Sequence, residues 1–268
     1  FISDAQTKRQ NSMGGSLSYT PWLAKLIDDM ALMNISGYKR ISKQEVIAAS
    51  LYYFDLGDMT FRDGEGNAIG DNHPREYAIT GVYSRMLSDN LSVGIGAKFI
   101  NSNLAGNGTA LSGGGVAKPG RSAAADVSAY YNKNLTISGR QINLALGANI
   151  SNIGSKISYS SKGNSNFIPT NLRIGTALTT DIDAYNKITL AFDANKLLVP
   201  TPPTYKENED GSPTIVDGER VIDEGKDPNR GFISGMFGSF TDAPGGASEE
   251  LKEITLAVAA EYWYYNTF

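Results

Sequence analysis

The sequence predicts an all-β fold, a transmembrane antiparallel β-barrel with short helices in its loops. Three observations carry that prediction. Five segments alternate apolar with small or polar residues at period two, the signature of a half-covered strand. The longest charge-free run, Phe99–Ala117, is filled with Asn, Ser and Gly, whereas a membrane-crossing helix needs about 20 mainly apolar residues. Short turn-like links also alternate with long ones, which is the loop asymmetry of outer-membrane barrels.

Leu91–Phe99 is the clearest strand: Leu91, Val93, Ile95, Ala97 and Phe99 share one face, opposite Ser92, Gly94, Gly96 and Lys98. Ile142–Ile150, Leu172–Leu178 and Ile188–Ala194 repeat the pattern. Ile254–Tyr264 does so at the far end, with Leu256, Val258, Ala260 and Tyr262 on one face. About nine to eleven residues suffice for a tilted strand to cross a bilayer. The faces opposite the apolar ones hold mainly Gly, Ala, Ser and Asn, which suits a crowded barrel interior better than the Lys- and Glu-rich exterior of a soluble sandwich. Less regular strands are expected at Ser12–Tyr19, Ala31–Lys39, Glu45–Phe54, Tyr77–Met86 and Ala125–Tyr131, making about ten in all.

Ser88-Asp89-Asn90 and Asp183–Asn186 are short links, whereas Arg62–Arg75, Ala105–Arg121 and Pro200–Arg230 are long. Aromatic residues gather near strand ends, as in Tyr52-Tyr53-Phe54 and Tyr262-Trp263-Tyr264-Tyr265. Such amphipathic rings favour the headgroup level of a membrane. Two helical pieces are expected, Pro21–Met30 and a Gly-punctuated stretch in which Phe232, Ile233, Met236, Phe237 and Phe240 recur at helical spacing. That apolar stripe has to be covered by the body of the protein, a partner or a membrane interface.

Composition removes many activities. Among 268 residues there is no cysteine and one histidine, His73. Thiolate chemistry, disulfides and multi-His zinc sites are therefore out of reach. A net charge of −4 gives no electrostatic grip on nucleic acid. Gly113–Pro119 lacks the spacing of a phosphate loop, and Pro119 stands where a magnesium-binding hydroxyl is needed. The acidic run Glu207–Asp227 lacks the EF-hand order and reads as a solvated loop. His73 lies in a turn, Asp71-Asn72-His73-Pro74, and the chain has no nucleophile-elbow motif to go with it. No enzyme, cofactor or metal site is predicted.

One set of motifs is more specific. Asn152-Ile153-Gly154-Ser155-Lys156-Ile157-Ser158-Tyr159 and Phe167-Ile168-Pro169-Thr170-Asn171-Leu172-Arg173 lead into Asp193-Ala194-Asn195-Lys196-Leu197-Leu198-Val199-Pro200-Thr201-Pro202-Pro203. Together with the closing Ala259-Ala260-Glu261-Tyr262-Trp263-Tyr264, these resemble the PorV (LptO) family, outer-membrane barrels of the Bacteroidota type IX secretion system. The resemblance implies a FadL-like barrel of 14 strands in the full protein. Residues 1–268 would then be a single partial barrel domain, without the N-terminal signal and plug region and without the last strands.

The resemblance also implies the partners: a SprA/Sov-type translocon, secreted cargo carrying the type IX C-terminal domain, attachment-complex proteins, and membrane lipid with lipopolysaccharide. The implied role is to bind the cargo's C-terminal domain at the translocon and shuttle it to the attachment complex on the cell surface. The third long loop and the apolar stripe after it supply the expected contact residues: Pro200, Pro202, Pro203, Tyr205, Phe232, Met236 and Phe237. Proline would stiffen the start of that loop. Two other readings compete, a FadL-type channel for long-chain fatty acids or other hydrophobic compounds, and a soluble secreted β-sandwich.

Overall fold

A computed structural model describes residues 12–23, 25, 29–62, 64–104, 115–161, 165–217 and 219–265. The strands are β1 (Met13–Pro21), β2 (Ala31–Arg40), β3 (Glu45–Asp55), β4 (Met59–Arg62), β5 (Ala68–Asn72), β6 (Arg75–Met86), β7 (Leu91–Asn103) and β8 (Gly120–Ile137). They continue with β9 (Arg140–Gly154), β10 (Asn171–Asp181), β11 (Asn186–Leu197), β12 (Thr204–Tyr205), β13 (Ile215–Val216), β14 (Glu219–Arg220), β15 (Ile222–Glu224) and β16 (Ile254–Tyr264). Two short helices, α1 (Phe232–Gly238) and α2 (Ala247–Lys252), lie between β15 and β16. Ten strands form one antiparallel sheet in the order β1-β2-β3-β6-β7-β8-β9-β10-β11-β16. The fold is therefore all-β. No helix among the described residues is long and apolar enough to cross a membrane.

The chain divides into two compact units, residues 1–128 with 152–168, and residues 129–151 with 169–268. In the first, strict register carries the alternation across strands. Leu17, Ile35, Leu51, Ile79 and Phe99 are successive cross-strand partners, and such partners share a face. Ser16, Ser36, Ser50, Thr80 and Lys98 form the neighbouring row on the opposite face. The apolar row stands open, with Leu17 75% and Ile35 54% exposed. Covering each such side chain would be worth roughly 1.5–3 kcal/mol, and an exposed apolar row of this kind marks an interaction surface.

The small core of this unit lies on the other side. Ala124, Ile157 and Ile168 pack together with Ile100 and Tyr159, and Ile100 belongs to the Lys98 face by its register and spacing. The segment after β9 is tied down by backbone bonds from Ser155 N–H to Ala123 O and from Lys118 N–H to Tyr159 O. Gly154 permits this approach: a Cβ there would fall 2.7 Å from that of Ala124 and collide with the Ala123 carbonyl.

The second unit repeats the design with the parity reversed. Leu144, Leu178, Leu190 and Ala260 are cross-strand partners on one face, as are Leu146, Thr176, Phe192 and Val258. The opposite face carries an alanine row, Ala145, Ala177, Ala191 and Ala259, flanked by Asn143, Thr179, Thr189 and Glu261. The β8–β9 hairpin turns on Ser138 and Gly139, both at positive φ (52° and 76°), as a two-residue type I′ turn demands. At the β10–β11 turn the Asp183 carboxylate accepts the Tyr185 and Asn186 N–H groups at 2.8 and 2.9 Å. Those bonds hold its carboxyl below the usual carboxylate range.

The predicted strands all appear, several longer than expected. The expected helix over Pro21–Met30 does not: Pro21 ends β1, Trp22 and Leu23 form a bend, and Leu23 has φ 52°, outside the right-handed helical region. The remainder of that stretch lies partly outside the described residues. The same holds for residues 105–114 of the second long loop.

Candidate functional site

Three clusters of polar chemistry stand out, each within one unit. The first is on the polar face of β7. Lys98 Nζ donates to Asn152 Oδ1 at 2.7 Å and lies 3.2 Å from Asp126 Oδ2. Asp126 Oδ1 in turn accepts the Asn152 N–H at 2.8 Å. Asn152 reaches that carboxylate because its φ is 59°, a left-handed kink that Asn adopts more readily than most residues. These three side chains, with Thr80, Tyr52 and Glu76, line a recess of about 480 Å³.

The second cluster joins the β3 end to the first long loop. His73 Nε2 lies 2.9 Å from Asp55 and Nδ1 2.8 Å from Asp58. With a carboxylate at each ring nitrogen the doubly protonated imidazolium is favoured, and the hydrogen bonds its N–H groups donate to Asp58 and Asp55 raise the His73 pKa. Neither nitrogen is left to act as a base toward a hydroxyl. Among the described residues there is no group of three His, Asp or Glu placed to hold a metal.

The third cluster organises residues 198–253. Lys196, at the end of β11 and only 6% exposed, donates to Glu250 Oε2 at 2.9 Å and Glu253 Oε2 at 2.6 Å. Its ammonium also lies 5.8 Å from the Phe240 ring centroid. Thr201 Oγ1 donates to Glu253 at 2.7 Å. Asp242, fully buried, pairs with Arg230 at 2.9 Å. Burial pushes the Glu250 carboxyl upward, but the Ala243 N–H, the Lys196 ammonium and the Asp242 N–H together hold it below its ordinary value. Five charged side chains thus fasten α1 and α2 to the end of β11.

The residues expected at the contact surface fall in this region with different exposures. Pro200 and Tyr205 are half-buried, and Pro202 is exposed. Pro203 is buried, close against Gly225, whose Cβ position is 3.1 Å from the Pro203 Cα. Tyr205 stacks under Arg220, 5.7 Å from ring centroid to guanidinium. Paired β12–β15 and β13–β14 shape Thr204–Glu224 into an arm of short strands. On α1, Met236 is buried, whereas Phe232 and Phe237 are exposed. Pro203 and Met236 therefore brace the region, and Pro202, Phe232 and Phe237 form its surface. No local motif in the sequence marks the pairing of Lys196, Glu250, Glu253 or Asp242; Lys196 lies 54 and 57 residues from its two carboxylate partners.

In each unit an exposed apolar strand face stands opposite a face of small and polar residues, and the large antiparallel sheet defines an all-β, barrel-like protein. A scan against family models places the chain more narrowly. The model described as "PorV: Type IX secretion system protein PorV" matches residues 5–204, about three-quarters of the sequence, and the chain belongs to that family. It is a type IX secretion system component. No curated protein matches the chain.

Proposed function

We propose that the chain works in the outer membrane, its apolar strand face against lipid, as the component that binds the C-terminal domain of secreted cargo and carries it from the SprA/Sov-type translocon to the attachment complex. The observation that carries this reading is the family match over residues 5–204. The sheet supports it: strands of nine residues or more, apolar toward one side, are long enough to cross a bilayer. The role calls for docking surface rather than a catalytic group. The arm Thr204–Glu224, entered through Pro200, Pro202 and Pro203 and steadied by Tyr205 on Arg220, supplies one. A FadL-type channel would need a greasy interior, and in the first unit the face away from the apolar row carries the row Ser16, Ser36, Ser50 and Thr80 with the Lys98–Asp126 pair.

The test is a photo-crosslinking amino acid placed at Tyr205 in the full-length protein in its native host. The expected products are adducts with the large translocon protein or with cargo carrying the shared C-terminal domain. Crosslinks to neither, from protein that is correctly folded and inserted, would overturn the assignment of the arm.

A further inference from the structure

We propose that the α1–α2 segment is seated in the membrane interface beside the sheet, and that its open groove holds acyl chains of the surrounding bilayer lipid. This rests on the reading that the apolar strand face meets lipid. Lys196 and Ile254 are direct cross-strand partners. Spacing places them on the same face as Leu190, Phe192, Leu256 and Val258. Both line a groove of about 470 Å³ together with Phe240, Ala247, Glu250 and Leu251. The segment therefore covers the end of the apolar face and does not turn toward the polar one.

Its outward surface continues that face. Phe237 is 67% and Leu251 69% exposed, and Ile233, Phe240 and Phe232 are exposed too. Leu256 and Val258, the next residues along the same side of β16, are exposed as well. Meanwhile the ion pairs of the segment lie inward: Lys196 sits between Glu250 and Glu253, and Arg230 meets the buried Asp242. A lysine on a lipid-side strand is tolerated when it is paired in this way. Lys252 remains exposed, with a stem long enough to bring its ammonium to headgroup phosphate. Apolar residues outward, ion pairs inward and continuity with the strand face are what an interfacial segment needs. A protein partner or a second copy of the chain would use the same surface, and the experiment separates them.

Residues 1–268 hold no cysteine; Phe237→Cys, Leu251→Cys and Val258→Cys are each made in the full-length protein with any cysteine outside this stretch replaced by serine, and each carries a single bimane label. The labelled proteins are reconstituted in phosphatidylethanolamine/phosphatidylglycerol vesicles and quenched with brominated phosphatidylcholine or with aqueous iodide. The expected result is lipid quenching at 237 and 251 within about twofold of that at 258, with little iodide quenching. Lipid quenching at 258 with iodide quenching at 237 and 251 would overturn this proposal alone. Shielding of 237 and 251 from both quenchers would overturn it in favour of a protein occupant. Iodide quenching at 258 would overturn the lipid-face reading itself, and the proposal with it.

Discussion

Lys196→Met removes the one cation from between two carboxylates. The ammonium is nearly inaccessible, with Glu250 and Glu253 oxygens at 2.9 and 2.6 Å. Breaking a buried ion pair from one side costs about 3–5 kcal/mol, because the charge left behind loses its counter-ion in a poorly solvated site. Two features reduce that figure. Glu250 keeps the Asp242 and Ala243 N–H bonds at 2.7 and 2.9 Å, and Glu253 is 26% exposed at its side chain and keeps Thr201. The expected loss is therefore about 3 kcal/mol, borne by the attachment of α1 and α2 and not by the sheet. At 1.4 kcal/mol per tenfold, that is roughly a hundredfold loss of hydrogen-exchange protection. Exchange read by mass spectrometry in detergent should show it at the backbone amides of 232–253, with β9–β11 amides unchanged. Lys187→Met is the control: its pairing with Asp181 is at 3.9 Å between exposed groups and is worth less than about 1 kcal/mol. Glu253→Gln added to Lys196→Met should recover part of the loss, since it removes one of the stranded charges. Protection of 232–253 within a few-fold of the parent after Lys196→Met would refute the reasoning.

Two further predictions concern the first unit. The His73 pKa is raised in the folded state by Asp58 and Asp55, so its contribution to stability is fully present below the unfolded histidine value and is lost as pH rises through the raised folded value. An NMR titration of the His73 ring should therefore give a midpoint above that of a free histidine, with exchange at Asp55–Asp58 rising across the same interval. A midpoint at or below the free value would contradict the clamp. At Gly154, a valine would have to displace Ala124 and the Ala123 carbonyl. The expected cost is about 1–3 kcal/mol, measurable as a lower temperature for loss of the compact form on heat-modifiability gels. The same substitution at Gly147, whose Cβ position is open, should leave that temperature nearly unchanged.

Much of the sheet was legible because its physics is local. Where small residues alternate with apolar ones, as in Leu91–Phe99 and Ile142–Ile150, period two alone locates the strand. In the sequence β8 shows only over Ala125–Tyr131, because Asn132, Lys133 and Asn134 break the alternation beyond it. They sit in the strand all the same, with Asn143 bonded to both Asn132 and Asn134. α2 (Ala247–Lys252) has fair helical propensity but no apolar stripe, and it is Glu250 that ties it to Lys196. The apolar stripe of α1 was visible. Which of its residues face inward was not, because that choice is made by Arg230, Asp242 and Lys196. Those residues meet only after β11 and the returning chain are brought together. Likewise Asn152 looks like one Asn among many until its positive φ turns its N–H onto Asp126.

The most direct test of the central claim is mild-detergent affinity purification of the full-length protein from its native host, with mass spectrometry of the proteins and lipids that come along. The account predicts recovery of a very large outer-membrane translocon protein together with secreted proteins that share a C-terminal domain. Recovery of the protein alone, carrying bound long-chain fatty acids, would contradict it and point instead to a channel for hydrophobic compounds.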